Sequence, residues 1–244
     1  MARFISLMLL ISTGAIAQDY QALIYDAYLR GRMDLWKKAM EQMAGQAEAT
    51  EDLSMLYDLT EAQYGYIGYC LSVNQKKEAE ELLVMAEGQV AKLLEKKGNN
   101  PRVYSLRGAF YGYRVQLQPL RIPYFGKKSE EANSRALELD PGEPQAWMER
   151  GNIAFYKPAI FGGSKKEAVH YYEKAVRLYE ASPGRTRQNW LYLNCLAGLG
   201  IAYEETGHVE QAGKVYEKLL RMEPSFKWIR DELYPRYLEK HSGQ

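Results

Sequence analysis

The chain has 244 residues, 46% of them apolar, and 32 basic side chains stand against 31 acidic ones for a formal charge of +1. That composition excludes intrinsic disorder, and near-neutrality leaves no field to draw in phosphate backbones or anionic lipids, so nucleic acid is not an expected partner. The length suffices for one sizeable core or for an elongated array.

The first element is a leader. Arg3 supplies a short basic segment, Phe4 through Ile11 are apolar apart from Ser6, and Ala15-Ile16-Ala17 puts small residues where a signal peptidase reads them, just before Gln18. Residues 1–17 are therefore expected to be a signal peptide cleaved after Ala17, with the mature chain periplasmic or secreted. The apolar run is far shorter than the roughly 20 residues that cross a bilayer. No later segment offers an uncharged run of that length, so no integral membrane segment is expected in the mature chain.

A repeat then emerges in chain order. Residues 18–50 carry Gly31 and the spacing Trp36-x-x-x-Met40-x-x-Met43, which suits a degenerate helical pair capping one end of an array. The array proper is expected over 51–224. Its first unit, about 57–97, pairs a helix near 57–73 with a second marked by Ala79-x-x-x-Leu83-x-x-Ala86, and Asn74 stands at the turn between them. The next, 102–141, reads Tyr104-x-x-Arg107-Gly108-x-x-Tyr111, then Ser129-x-x-x-Asn133-x-x-Ala136 and Leu139-Asp140-Pro141. The third, 144–180, opens with Trp147-x-x-Arg150-Gly151-x-x-Ala154 and closes with Ala168-x-x-x-Tyr172-x-x-Ala175. The last, 190–224, is the most regular, with Leu199-Gly200-x-x-Tyr203, Gly207, Ala212-x-x-x-Tyr216-x-x-Leu219 and Pro224. Residues 225–244 set Trp228, Leu233, Tyr237 and Leu238 among charges, as a capping helix and tail.

Each position of the last unit has a physical task. Gly200 lets two helices approach closely, Gly207 permits the left-handed backbone that ends the first of them, and Ala212 is small where they cross. Tyr203 and Tyr216 fill the seam, and Pro224 stops the second helix. This constellation resembles the tetratricopeptide repeat family. The resemblance implies an all-α fold, a right-handed α-solenoid of about five helix-turn-helix repeats with a C-terminal capping helix.

Two connections depart from the pattern. The interval from Gly151 to Ala168 is five positions longer than that from Gly200 to Ala212, and the interval from Gly108 to Ser129 is nine longer. Both contain proline followed shortly by Phe-Gly, in Pro123-Tyr124-Phe125-Gly126 and in Pro158-Ala159-Ile160-Phe161-Gly162-Gly163. Equivalent connections in such an array emerge on one edge, so Tyr124, Phe125, Ile160 and Phe161 could form a joint aromatic lid. The alternative is that these rings plug gaps left by longer helices.

The resemblance also implies that the first helix of each repeat lines a concave groove. Carried onto this chain, the inward stripe is Tyr64, Ser105, Tyr113, Met148, Asn152, Tyr156, Ala197 and Glu205. It is polar and aromatic, suited to an extended peptide held by Asn152 and packed by Tyr113 and Tyr156, or it is only a wet, tyrosine-rich face.

Nothing points to catalysis. His170, His208 and His241 lie in separate settings without metal-ligand spacing. The run Gly162-Gly163-Ser164-Lys165 lacks the first glycine of a phosphate loop and follows a helix. Adjacent Glu204 and Glu205 face different ways on a helix. Cys70 and Cys195 fall on different repeats, and with helices spaced at roughly 8–10 Å they lie beyond the roughly 7 Å a disulfide bridges, so two buried free thiols are expected. The expected function is a non-catalytic scaffold that binds a protein or peptide partner in the cell envelope, with no metal and no cofactor. The alternative is a solute- or lipid-binding accessory protein with a pocket under the two Phe-Gly connections.

Overall fold

The computed structural model describes residues 19–242, and the expected leader at 1–17 lies outside them. Within that span the chain forms eleven α-helices and no strand. They are α1 Tyr20–Arg30, α2 Met33–Thr50, α3 Leu53–Ser72, α4 Lys76–Lys97, α5 Pro101–Leu117, α6 Ile122–Leu139, α7 Pro144–Tyr156, α8 Lys165–Glu180, α9 Trp190–Glu205, α10 Val209–Met222 and α11 Tyr234–His241. Consecutive helices pack as antiparallel pairs, and the first helix of each middle pair also packs on the first helix of the next, α3 on α5, α5 on α7 and α7 on α9. The fold is an all-α solenoid of helix-turn-helix repeats. Among the described residues no helix is long and apolar enough to cross a membrane.

Local chemistry sets the boundaries. The first helices start on side-chain caps: Asp19 accepts from the Ala22 amide, Asp52 from Ser54, Asn100 from Arg102 and Val103, Glu143 from Gln145, and Asn189 from Tyr192. Proline follows the cap directly in α5 and α7, where its missing amide costs nothing. Three pairs turn through a left-handed residue, at Gly31, Asn74 and Gly207 (φ 64°, 62° and 80°). Buried alanines 79, 86, 136, 168, 175 and 212 sit where second helices cross first ones. Cys70 and Cys195 are buried and unbonded, and desolvation pushes the Cys70 thiol up to about 11.

What decides the site is how tightly the array coils. The N-terminal pair folds back on the last repeat, α1 against α9. Trp36 and Trp190 meet edge to face at 5.0 Å between ring centroids, and Tyr28 lies 5.8 Å from Trp190 and 5.0 Å from Phe226. The Trp36 indole N–H donates to the Ala62 carbonyl at 3.1 Å. Both indoles lie against Gly65, where an added Cβ would fall 2.6 Å from Trp36 and 2.7 Å from Trp190. Only glycine there lets the ends of the array close.

After Pro224 the chain buries Phe226 and Leu233 and continues into α11. The segment Ile229–Leu233 is wound as a π turn. Pro235, at the start of α11, explains it, since proline lacks an amide and clashes with the carbonyl a turn earlier.

Candidate functional site

The inner face comes first. Coiling fills it with the chain's own side chains. Tyr64 lies 6.0 Å from Trp190, although the two residues belong to the second and the last repeats, and stacks on Tyr113 at 5.6 Å and 17°. The Tyr113 hydroxyl donates to the Tyr64 carbonyl at 3.0 Å, and Ser105 Oγ donates to Pro101 O at 3.0 Å. Tyr64, Ser105, Met148 and Ala197 are buried. The expectation that this stripe offers an open groove therefore fails for Tyr64, Ser105, Met148 and Ala197, which are core, and Tyr113 is half-buried with its hydroxyl tied to the Tyr64 carbonyl.

Asn152 is corrected for a different reason: its amide is already engaged. Nδ2 donates to Glu149 Oε2 at 3.0 Å and Oδ1 accepts from the Tyr172 hydroxyl at 2.6 Å. Glu149, which the sequence reading passed over, is the centre of this network. It is buried, its Oε1 has no hydrogen-bond partner, and desolvation pushes its carboxyl up to about 7 against smaller downward pulls from Tyr64 and Asn152. The signal was the polar line Gln145, Glu149 and Asn152 on one face of a helix whose other inward positions are Ala146, Met148 and Gly151. Glu205 is exposed and pairs with Lys165, which holds its carboxyl below the usual range.

The three most exposed large apolar side chains, Leu120, Ile160 and Tyr156, lie instead at the two long connections. Lys157 at the end of α7 pairs with Glu130 of α6, and Lys165 at the start of α8 pairs with Glu205 at the end of α9, so the connections of successive repeats share one edge. The α7–α8 connection is a 3-10 turn, Ala159–Phe161, closed by Gly162 at φ +89°. Tyr156 is 69% exposed, Ile160 86% and Phe161 50%. The turn is nevertheless fixed: Ser164 N donates to Ala154 O at 2.9 Å, and Gly163 passes so near Lys157 that a Cβ would meet its carbonyl oxygen at 1.7 Å.

The α5–α6 connection is built otherwise. A 3-10 turn, Pro119–Arg121, runs straight into α6 at Ile122, so Pro123, Tyr124, Phe125 and Gly126 belong to the first turns of a helix and not to a loop. Proline at a helix start is pre-organised for helical φ. Phe125 is only 7% exposed and lies beside Tyr111 at 6.2 Å, whereas Leu120 is 99% exposed. A cleft of about 740 Å³ opens here, with Val90, Ala91 and Leu94 of α4 on one side and Tyr111, Tyr124 and Phe125 on the other. Ile160 and Phe161 take no part in lining it. The joint lid over a shared pocket is thus not formed: one ring lines a cleft between its own repeat and α4 of the preceding one, and the other is half exposed.

The family model for the tetratricopeptide repeat matches residues 193–226, which is the α9–α10 pair. That pair is a tetratricopeptide repeat. Among solved structures, this chain is similar to the HusA haemophore from Porphyromonas gingivalis, at 23% identity and a TM-score of 0.60 over 77% of this chain and 94% of that one. It is also similar to TTC0263, a thermophilic TPR protein of Thermus thermophilus, at 16% identity and a TM-score of 0.60 over 88% and 97% of the two chains. No curated protein matches it.

Proposed function

We propose that this TPR protein is a non-catalytic scaffold in the cell envelope that docks a partner protein on the α7–α8 edge. The observation that carries the reading is the exposed trio of Tyr156, at the end of α7, with Ile160 and Phe161 on the turn that Gly162 and Gly163 follow. Rigid, exposed apolar side chains suit docking because little conformational entropy remains to be lost on binding. Flanking Lys157 and Lys165 are already paired with glutamates, so the partner surface is apolar rather than acidic. The location in the envelope is supported by the leader-like residues 1–17. A photoreactive residue at position 160, with a second probe at exposed Glu210 on α10 as control, tests the docking. A discrete protein adduct from 160 alone is the expected result, and equal adducts from both sites, or none, overturn the reading. Recovery of the chain from an osmotic-shock fraction with Gln18 as its first residue tests the location.

A second reading is favoured by two observations together, the likeness in fold to a haemophore and the cleft at the α5–α6 connection. It is carriage of a small apolar molecule. Titration of the mature chain with haem, followed by absorbance, tests it directly.

A further inference from the structure

The cleft between α4, α5 and α6 has an uneven charge balance. Arg107, Arg114 and Arg121 line it together with a single carboxylate, Glu87. Arg114 takes that carboxylate for itself: Nε donates to Glu87 Oε1 at 2.9 Å and Nη2 to Oε2 at 2.6 Å, with Glu80 at 3.5 Å behind. Arg107 and Arg121 form no ion pair among the described residues. Arg107 Nη2 donates to the Tyr111 hydroxyl at 3.5 Å, and both guanidinium groups lie near rings. The Arg107 guanidinium lies 5.9 Å from the Tyr111 centroid, and that of Arg121 lies 4.7 Å from Phe125 and 5.1 Å from Tyr124. Tyr111 and Phe125 are nearly parallel, 6.2 Å apart at 27°, so the two cations share one ladder of rings.

A guanidinium carries five N–H donors, so one beside a ring and without an ion pair keeps donors that can grip a carboxylate by two parallel hydrogen bonds. The rest of the cleft asks for hydrocarbon. Buried Val90 and Phe110 are part of its lining, Leu94 contributes to a wall, and Leu120, which precedes Arg121 in the chain, is fully exposed. Its volume, about 740 Å³, lies in the roughly 300–1,000 Å³ range of small-molecule sites. Glu87 on the same wall disfavours a doubly charged head group.

We infer that this cleft binds an amphiphile with an apolar body and a single carboxylate head, of the fatty-acid class, with the head held by Arg107 and Arg121 and the body lying along α4. The inference rests on the small-molecule reading, and gives it a place and a ligand class. The test is fluorescence titration of the mature chain with a conjugated polyene fatty acid, set against the alcohol of the same chain length. Arg107→Gln with Arg121→Gln is the diagnostic variant. Its thermal unfolding is measured beside the parent's, and binding is compared at a temperature where both are folded, because the substitutions also remove the contacts with Tyr111, Tyr124 and Phe125. The double variant is expected to weaken acid binding about tenfold or more, the loss of one charge-assisted pair, and to leave alcohol binding unchanged. A second variant, Ala91→Trp, fills the cleft and is expected to abolish binding of both probes. Acid bound no better than alcohol, unchanged affinity in the double variant, or binding of neither probe overturns the assignment. Haem bound equally with and without the two arginines overturns this site while leaving small-molecule carriage standing.

Discussion

The two long connections carry nearly the same letters, proline followed shortly by Phe-Gly, and end in opposite states. At α5–α6 the proline sits at a helix start, the helix continues through Gly126, and Phe125 turns inward against Tyr111. At α7–α8 the proline precedes a 3-10 turn, Gly162 takes a left-handed backbone that ends it, and Phe161 is left outside. The helices leading into them differ in parallel. Near its end α5 carries Arg114, whose charge is met by Glu87, whereas α7 carries Glu149 in the interior with only neutral partners. Where a ring ends up is decided by whether the glycine after it is asked to continue a helix or to break one.

That contrast is broken most severely by Phe125→Ala. Phe125 packs between Tyr111 and Tyr124 under Arg121, so truncation leaves a cavity beside α5 and is expected to cost about 3 kcal/mol, read from the urea midpoint.

The second effect, of similar size, concerns Glu149. Its carboxyl titrates near 7 when folded and near 4.5 when unfolded, so between those values the folded state holds the extra proton. The associated stability is fully present below about 4.5 and is lost as pH rises through 7, a fall of about 3 kcal/mol at about 1.4 kcal/mol per unit. Glu149→Gln is expected to flatten that fall and to be more stable than the parent at pH 8, by denaturant titration at the two ends of the range. A parent whose stability is level from pH 5 to 8 would show that solvent reaches this carboxylate.

Much of this architecture is legible in the residues, and the part that is not has a common cause. The last repeat can be read because Gly200, Tyr203, Gly207, Ala212 and Tyr216 act within one pair of helices, where spacing fixes contact. Asn74 reads as a turn because asparagine tolerates the left-handed region it adopts. The closure of the array cannot be read that way. It depends on Trp36, Gly65 and Trp190 meeting across several repeats, and that meeting is set by small rotations summed along the solenoid. Once the ends meet, an inner stripe suited to ligand contact becomes core, which is why Tyr64 and Met148 are buried while Tyr156, at the outer end of α7, stays exposed. Pro123 was misleading for a local reason: a proline can break a helix or begin one, and the residues on either side do not distinguish the two.

A smaller effect sharpens the other half of the contrast. In Gly163→Ala the new Cβ meets backbone atoms of Lys157, its carbonyl oxygen at 1.7 Å and carbon at 2.5 Å, so the chain itself must shift. The expected cost is about 1–3 kcal/mol by urea titration. Loss of crosslinking from position 160 should accompany it, because the turn that presents Ile160 is rebuilt.

Phe161→Ala is the counterpart of Phe125→Ala and is expected to do least to stability. Its ring is half exposed, makes no ring pair among the described residues, and lies on a turn held by backbone contacts that do not involve its side chain. Stability should change by no more than about 0.5 kcal/mol, the usual range for a surface substitution, while the adduct formed from position 160 weakens. If Phe161→Ala instead cost as much as Phe125→Ala, the ring would be part of the core in solution. The edge would then lose its claim as a docking surface, and the two connections would be variants of a single packing solution.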